Sequence, residues 1–310
     1  MQFVDENRHL VLVGTTASGK SGLALEVARR LPGPPVEVVS VDSMTVYRGM
    51  DIGTAKPSAA ERREVRHHLL DLADPSEDFS VAAYEVAATS ALAEIAGRGH
   101  RALLVGGTGL YLRAVVDGLE TPGIWPEVRV GLEADPDTAA LYHRLTTLDP
   151  AAAARMEPSN RRRVVRALEV TLGSGRPFSS FGPGLDRHRP APRFAMAGVW
   201  LPRPVVARRI ADRVAAMVSA GLVEEASALA AGPGGLSRTA SQALGYREAL
   251  DHLAGRCSLA EAAESTVSRT RAFARRQRMW FRRDPRITWY GTGENPFAVL
   301  PALLGDWGQS

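Results

Sequence analysis

Residues 14 to 21 read GTTASGKS and satisfy every fixed position of the phosphate-cradling pattern G-x-x-x-x-G-K-[ST]. This feature constrains the fold because such a loop functions only where a strand ends and a helix begins. Both flanks comply: HLVLV (9 to 13) is a short apolar run, and SGLALEVARRL (21 to 31) carries apolar residues at helical spacing. Further apolar runs, VEVVSVD (36 to 42), RALLVGGTG (101 to 109), FAMAGVWLPR (194 to 203) and ITWYG (287 to 291), alternate with amphipathic stretches. That alternation predicts an α/β fold, a P-loop NTPase-like parallel sheet flanked by helices. In such sheets ligands lie beyond the carboxyl ends of the strands. The loop, Asp42 and the GGTG turn (106 to 109) are therefore expected at one crevice.

Between GLETPGIWP (118 to 126) and GRPFSSFGPGLDRHRPAPR (175 to 193) lies a helically patterned stretch bounded by Pro and Gly. It is read as a small helical insertion, residues 123–190, within a catalytic core formed by 1–122 and 191–310. After it, the patterns from 205 to 230 and from 258 to 284 read as long helices. No run approaches the 18 apolar residues of a membrane span, and the opening MQFVDENRH has acids where a secretory signal carries an apolar block. A cytosolic protein with no membrane partner is expected. The single cysteine, Cys257, excludes an internal disulfide and a thiolate metal set. His67 and His68 lack the companions of a metal site and are read as structural or solvent-facing.

In the loop, Gly14, Thr15, Thr16, Ala17, Ser18, Gly19, Lys20 and Ser21 are expected to hold phosphates. The glycines let the backbone close, the N–H groups and helix start supply positive potential, Lys20 reaches phosphate oxygens and Ser21 binds Mg²⁺. The chain holds 38 Lys and Arg, of which Lys20 and Lys56 are the only lysines. Where arginine has replaced lysine almost everywhere, the two that persist mark sites needing a compact point charge. The motif by itself leaves an ATP-using kinase open, but no adenine- or guanine-reading motif follows. Instead the polar segment DSMTVYRGMDIGTAKP (42 to 57) lies beside the expected crevice, as a substrate clamp would.

Taken in order, GTTASGKS, DSMTVYRGMDIGTAKP, HHLLD (67 to 71), GGTGLY (106 to 111), RRVVRALEV (162 to 170), QALGYRE (242 to 248) and RRQRMWFR (275 to 282) resemble the bacterial tRNA dimethylallyltransferases. The resemblance covers nearly the whole chain. It implies transfer of a dimethylallyl group from dimethylallyl diphosphate to N6 of the adenosine immediately 3′ of the anticodon, position 37, with tRNA as partner and Mg²⁺ as cofactor. The cradle would then hold an allylic diphosphate rather than a nucleotide. Asp42 is the candidate base, Thr108 faces the oxygen that leaves, and Lys20 and Arg213 meet the diphosphate charge; Arg209, one turn before Arg213, shares its face. By the same resemblance, tRNA contacts fall on Asp42, Ser43, Met44 and Thr45, on Arg129, on Arg162, Arg163, Val164, Val165 and Arg166, and on Gln242, Ala243, Leu244, Gly245, Tyr246 and Arg247. Departures from the family pattern are few: Thr15 replaces a usual Pro, and Arg275 and Met279 a usual Lys and Thr.

The net charge of +4 is too small to indicate a nucleic-acid partner by itself. Its distribution is more telling. RRRVVR (161 to 166) concentrates arginine in the insertion, and between Arg269 and Arg286 the basic residues face one acid, Asp284. Arg271, Arg275, Arg278 and Arg282 are predicted on one helical face, with Phe273, Gln277 and Trp280 on another. Both arginine clusters are expected to attract RNA phosphate.

Overall fold

The computed structural model describes residues 8–182 and 187–308. Its sheet has six strands, β1 (His9–Gly14), β2 (Val36–Val41), β3 (His67–His68), β4 (Arg101–Gly106), β5 (Phe194–Trp200) and β6 (Thr288–Gly291), in the order β3-β2-β4-β1-β5-β6. Every pairing is parallel. The apolar runs of β1 and β4 are buried on both faces, which is why they lack the polar alternation of a half-exposed strand.

Side chains alternate between two cores. Val11, Val13, Val39, Val41 and Leu104 point to one face, where Tyr84 and Ile95 of the helix Val81–Gly97 cover them. Leu10, Leu12, Val38, Leu103 and Val105 point to the other, under Leu23 and Val27 of the helix Lys20–Arg30 and Leu303 and Trp307 of the helix Leu300–Gly308.

Register then places the functional ends. Val13 and Val41 both pair with Gly106, so β4 brings the GGTG turn between the loop after β1 and the residue after β2. A Cβ at position 106 would lie 2.0 Å from the Val41 carbonyl oxygen, so only glycine permits the approach.

The chain forms two compact units, one running to Asp117 and resuming at Pro190, the other Gly118–Arg189. The second has its own core, built from Leu132, Leu141, Leu145, Val164, Val165 and Leu168. Two details differ from expectation. The two-residue β3 extends the sheet edge, too short to carry a period. The first long helical pattern breaks into Arg203–Ser219 and Leu222–Ala231, bent by 60°, because Gly221 adopts φ 98°. No single described helix is long and apolar enough to cross a membrane.

Candidate active site

β1 delivers the chain to Gly14, and Lys20 opens the following helix. Between them Ala17 (φ 60°) and Gly19 (φ 83°) take left-handed conformations, which turn successive N–H groups inward as an anion nest. For Ala17 this costs about 1–2 kcal/mol, strain of the kind ligand loops store. The Ser18 hydroxyl is buried with no hydrogen-bond partner among the described residues. An orphaned donor in a ring of N–H groups suits an anion.

Among the described residues Lys20 Nζ has one weak contact, the Thr15 carbonyl oxygen at 3.4 Å. Desolvation pulls its ammonium down to about 8, opposed by the charge of Asp42 and assisted by that of Arg213. Arg213 donates from Nη1 to the Thr16 hydroxyl at 3.2 Å, and its own desolvation is likewise countered by Asp42. Two cations thus converge on the cradle with one carboxylate in reach of their fields.

That carboxylate sits directly after β2. Asp42 Oδ1 accepts the Met44 N–H at 2.9 Å, which fixes its rotamer. Beside it the Thr108 hydroxyl accepts the Ser43 N–H at 3.1 Å, while the Thr108 N–H donates to the Val41 carbonyl at 3.3 Å. With one lone pair engaged, the Thr108 hydroxyl keeps its proton for an acceptor in the crevice.

Lys20, Arg213 and Asp42 border a cavity of about 1180 Å³ lined also by Thr16, Ser21, Thr45, Lys56, Arg209 and Phe273, among others. The segment 51–56 forms one wall. Its backbone is pinned by Glu225, whose carboxylate accepts from the N–H groups of Asp51, Ile52 and Gly53 and from the Tyr246 hydroxyl at 2.5 Å. Burial first, and then the Glu225 carboxylate, push the Tyr246 phenol far up.

The IPP transferase family model matches residues 45–284 of this chain. The chain belongs to that family. A tRNA dimethylallyltransferase from a Nocardioides species is 50% identical to it, over 95% of this chain and 96% of its own length. One from Geobacter metallireducens is 45% identical over 98% and 99%. Among solved structures, the full-length tRNA isopentenylpyrophosphate transferase of Bacillus halodurans superposes with TM-score 0.69 at 38% identity, covering 98% of this chain and 97% of that one. A eukaryotic dimethylallyltransferase described as acting on tRNA gives 0.74 at 25% identity, covering 94% and 74%.

Within this family member the residues named from sequence divide. The loop, Asp42, Thr108 and Arg213 come together as described. Arg162 and Arg163 are exposed, as are Gln242 and Arg247, which share a hydrogen bond of 3.4 Å. Val164 and Val165 belong to the core of the insertion, where their side chains pack inward. Ala243, Gly245 and Tyr246 are buried, with Tyr246 supporting the wall of the cavity. Arg129 and Arg166 are partly committed to the buried Glu169, at 2.7 Å and 2.9 Å.

On the helix Leu259–Phe281, Arg278 leaves the expected basic face. It is buried, its guanidinium 3.8 Å above the Trp200 ring, whereas Arg271, Arg275 and Arg282 stay exposed. Sequence reasoning placed Gln277 on the packed face without giving it a task, and missed Glu225 altogether. Neither has a local signal, since each acts on segments more than a hundred residues away.

No group of three or more His, Cys, Asp or Glu side chains able to hold a metal occurs among the described residues. The donor set at the cradle is the Ser21 hydroxyl beside an anion nest. It suits Mg²⁺, which keeps waters and takes phosphate oxygens as ligands, rather than a metal needing an all-protein cage.

Proposed function

We propose that this chain transfers a dimethylallyl group from dimethylallyl diphosphate to N6 of the adenosine at position 37 of tRNA, releasing diphosphate. The observation that carries the reading is the convergence of Asp42, Arg213 and the phosphate loop on one cavity, with the Thr108 hydroxyl held beside Asp42 by the Ser43 N–H, in a chain of this family. The loop and Lys20 hold two linked phosphates and leave the allyl chain directed into the cavity. Ser21 would hold Mg²⁺, which supplies further neutralisation of the diphosphate charge.

In the transfer the N6 lone pair forms a bond to C1 of the donor as the bond from C1 to the bridging oxygen breaks. N6 is a poor nucleophile because its lone pair is delocalised into the purine. Asp42 accepts the N6 proton, and Thr108 donates a hydrogen bond to the departing oxygen, whose charge Lys20 and Arg213 share. Reaching N6 requires unstacking the base, at a cost of a few kcal/mol. Contacts to the RNA backbone from Arg162, Arg163 and the exposed arginines of the helix Leu259–Phe281 offset that cost.

The experiment is direct. An unmodified anticodon stem-loop is incubated with dimethylallyl diphosphate and the protein, with and without Mg²⁺, and the adenosine is examined by mass spectrometry for a C5H8 increment. A parallel tube with ATP in place of the prenyl donor tests for phosphoryl transfer. Phosphorylated product there, with no prenylated adenosine in the first tube, refutes the reading.

A further inference from the structure

Gln277 lies buried on the inner side of the helix Leu259–Phe281, yet both ends of its carboxamide are engaged by distant loops. Oε1 accepts the N–H of Thr16 in the phosphate loop at 2.7 Å. Nε2 donates to the carbonyl of Gly107 in the GGTG turn at 2.9 Å. One planar group therefore ties the cradle to the turn that carries Thr108.

The packing leaves this bridge little slack. A Cβ at Gly107 would come within 2.1 Å of Gln277 Nε2, and one at Gly109 within 2.0 Å of the indole nitrogen of Trp280, three residues further along the same helix. The turn is seated on the helix at two points, and Thr108 lies between them. The bridge also occupies the Thr16 N–H and so removes one donor from the nest, as the Thr15 carbonyl does by accepting the Ser18 N–H at 3.2 Å.

We infer that Gln277 is a positioning residue for the transfer. It touches no reacting atom. It sets the separation between the diphosphate cradle and the Thr108 hydroxyl, so that the departing oxygen of a gripped donor meets that hydroxyl. This inference rests on the reaction given above. A glutamine that merely satisfied polar groups in a core would affect stability and leave turnover per folded molecule alone.

Its two hydrogen bonds have opposite polarity, which provides a specific test. In Gln277→Glu an ionised carboxylate still accepts from Thr16 but sets a second acceptor against the Gly107 carbonyl. Once protonated it donates to Gly107 and accepts from Thr16, restoring both bonds. Burial raises such a carboxyl, in the extreme to about 8–9. The measurement is kcat at saturating dimethylallyl diphosphate and unmodified stem-loop for wild type, Gln277→Glu and Gln277→Met between about pH 5.5 and 8.5, with inorganic pyrophosphate affinity read alongside.

For Gln277→Met, kcat falls by about 30-fold or more while pyrophosphate affinity stays within about threefold. For Gln277→Glu, kcat relative to wild type rises about tenfold or more as the pH is lowered. A flat ratio, or a Gln277→Met kcat within about threefold of wild type, overturns the inference. Hydrogen exchange in the wild-type protein adds a test needing no variant: slow exchange of the Thr16 amide is expected, and fast exchange overturns the bridge. Wild-type protein that fails to alkylate the stem-loop refutes the reaction instead, and the Thr16 exchange then decides the bridge by itself.

Discussion

Lys56 Nζ lies 2.6 Å from Asp71 Oδ1, inside a niche completed by Asp51 Oδ1 at 2.8 Å and the Tyr47 carbonyl oxygen at 2.5 Å. Its side chain is 1% exposed. The three protons of an ammonium meet three acceptors, and the other oxygen of Asp71 takes Arg62 at 2.7 Å. The segment DIGTAKP is thereby clamped to the residues following β3. A planar guanidinium is longer and cannot aim three bonds at one point, which accounts for a lysine in a chain that otherwise uses arginine. Lys56→Arg and Lys56→Met should each cost about 2 kcal/mol of stability, because Asp51 and the Tyr47 carbonyl lose their charged donor and Asp71 keeps only Arg62. Because the segment walls the cavity, kcat/KM for the prenyl donor should fall about tenfold or more. Urea unfolding and steady-state kinetics check both, and a Lys56→Arg protein of wild-type stability would contradict the niche.

Asp42→Asn separates holding from chemistry. The amide oxygen still accepts the Met44 N–H and keeps the turn after β2, but it cannot take a proton from N6. We expect kcat to fall by about 10²–10⁴, with stem-loop Kd within about threefold of wild type. An Asn variant with near-wild-type kcat would remove Asp42 as base.

How much of this was legible beforehand follows from the range of the forces involved. β1, β2, β4 and β5 announce themselves because strands buried on both faces must be continuous apolar runs, and the loop pattern fixes where β1 ends. Asp42 and Thr108 were legible as strand-end residues of a parallel sheet. β3 was not, since His67 and His68 are strand only by pairing with Val38 and Val39. Which residues of QALGYRE are exposed was not legible, because exposure is a tertiary property: nothing local says that Tyr246 turns inward to Glu225. Val164 and Val165 sat within a motif quoted whole, although their apolar character pointed to the core of the insertion. Gln277 was assigned to the packed side of its helix, but the task of that side depends on what packs there.

The state of Lys20 makes donor affinity depend on pH. Its ammonium, lowered to about 8, must be protonated to attract diphosphate. In free protein the charged fraction declines as pH rises through that value, so affinity for inorganic pyrophosphate should fall by up to about tenfold per unit above about pH 9. Lys20→Met should bind weakly throughout and lose this dependence. Calorimetric titration over that range provides the measurement; an unchanged slope in the variant would mean that another group titrates.

Far from the cavity, Glu37 near the start of β2 predicts how the fold responds to acid. Its buried carboxylate accepts from Arg98 at 2.9 Å, from His68 Nε2 at 2.6 Å and from His100 Nδ1 at 2.7 Å. Burial by itself raises the carboxyl, but hydrogen bonds from Arg98, His68 and His100 outweigh it and hold the group at about 2. A carboxyl depressed on folding stabilises the native state above its unfolded value, near 4.5, and that stability is lost as pH falls towards 2. Because His68 belongs to β3, protonation of Glu37 should loosen the edge strand that leads to Asp71. Glu37→Gln should lower stability at neutral pH by about 3 kcal/mol and flatten its acid dependence between about pH 4.5 and 2. Urea unfolding at several pH values compares the two slopes, and identical slopes would show that the acid sensitivity arises elsewhere.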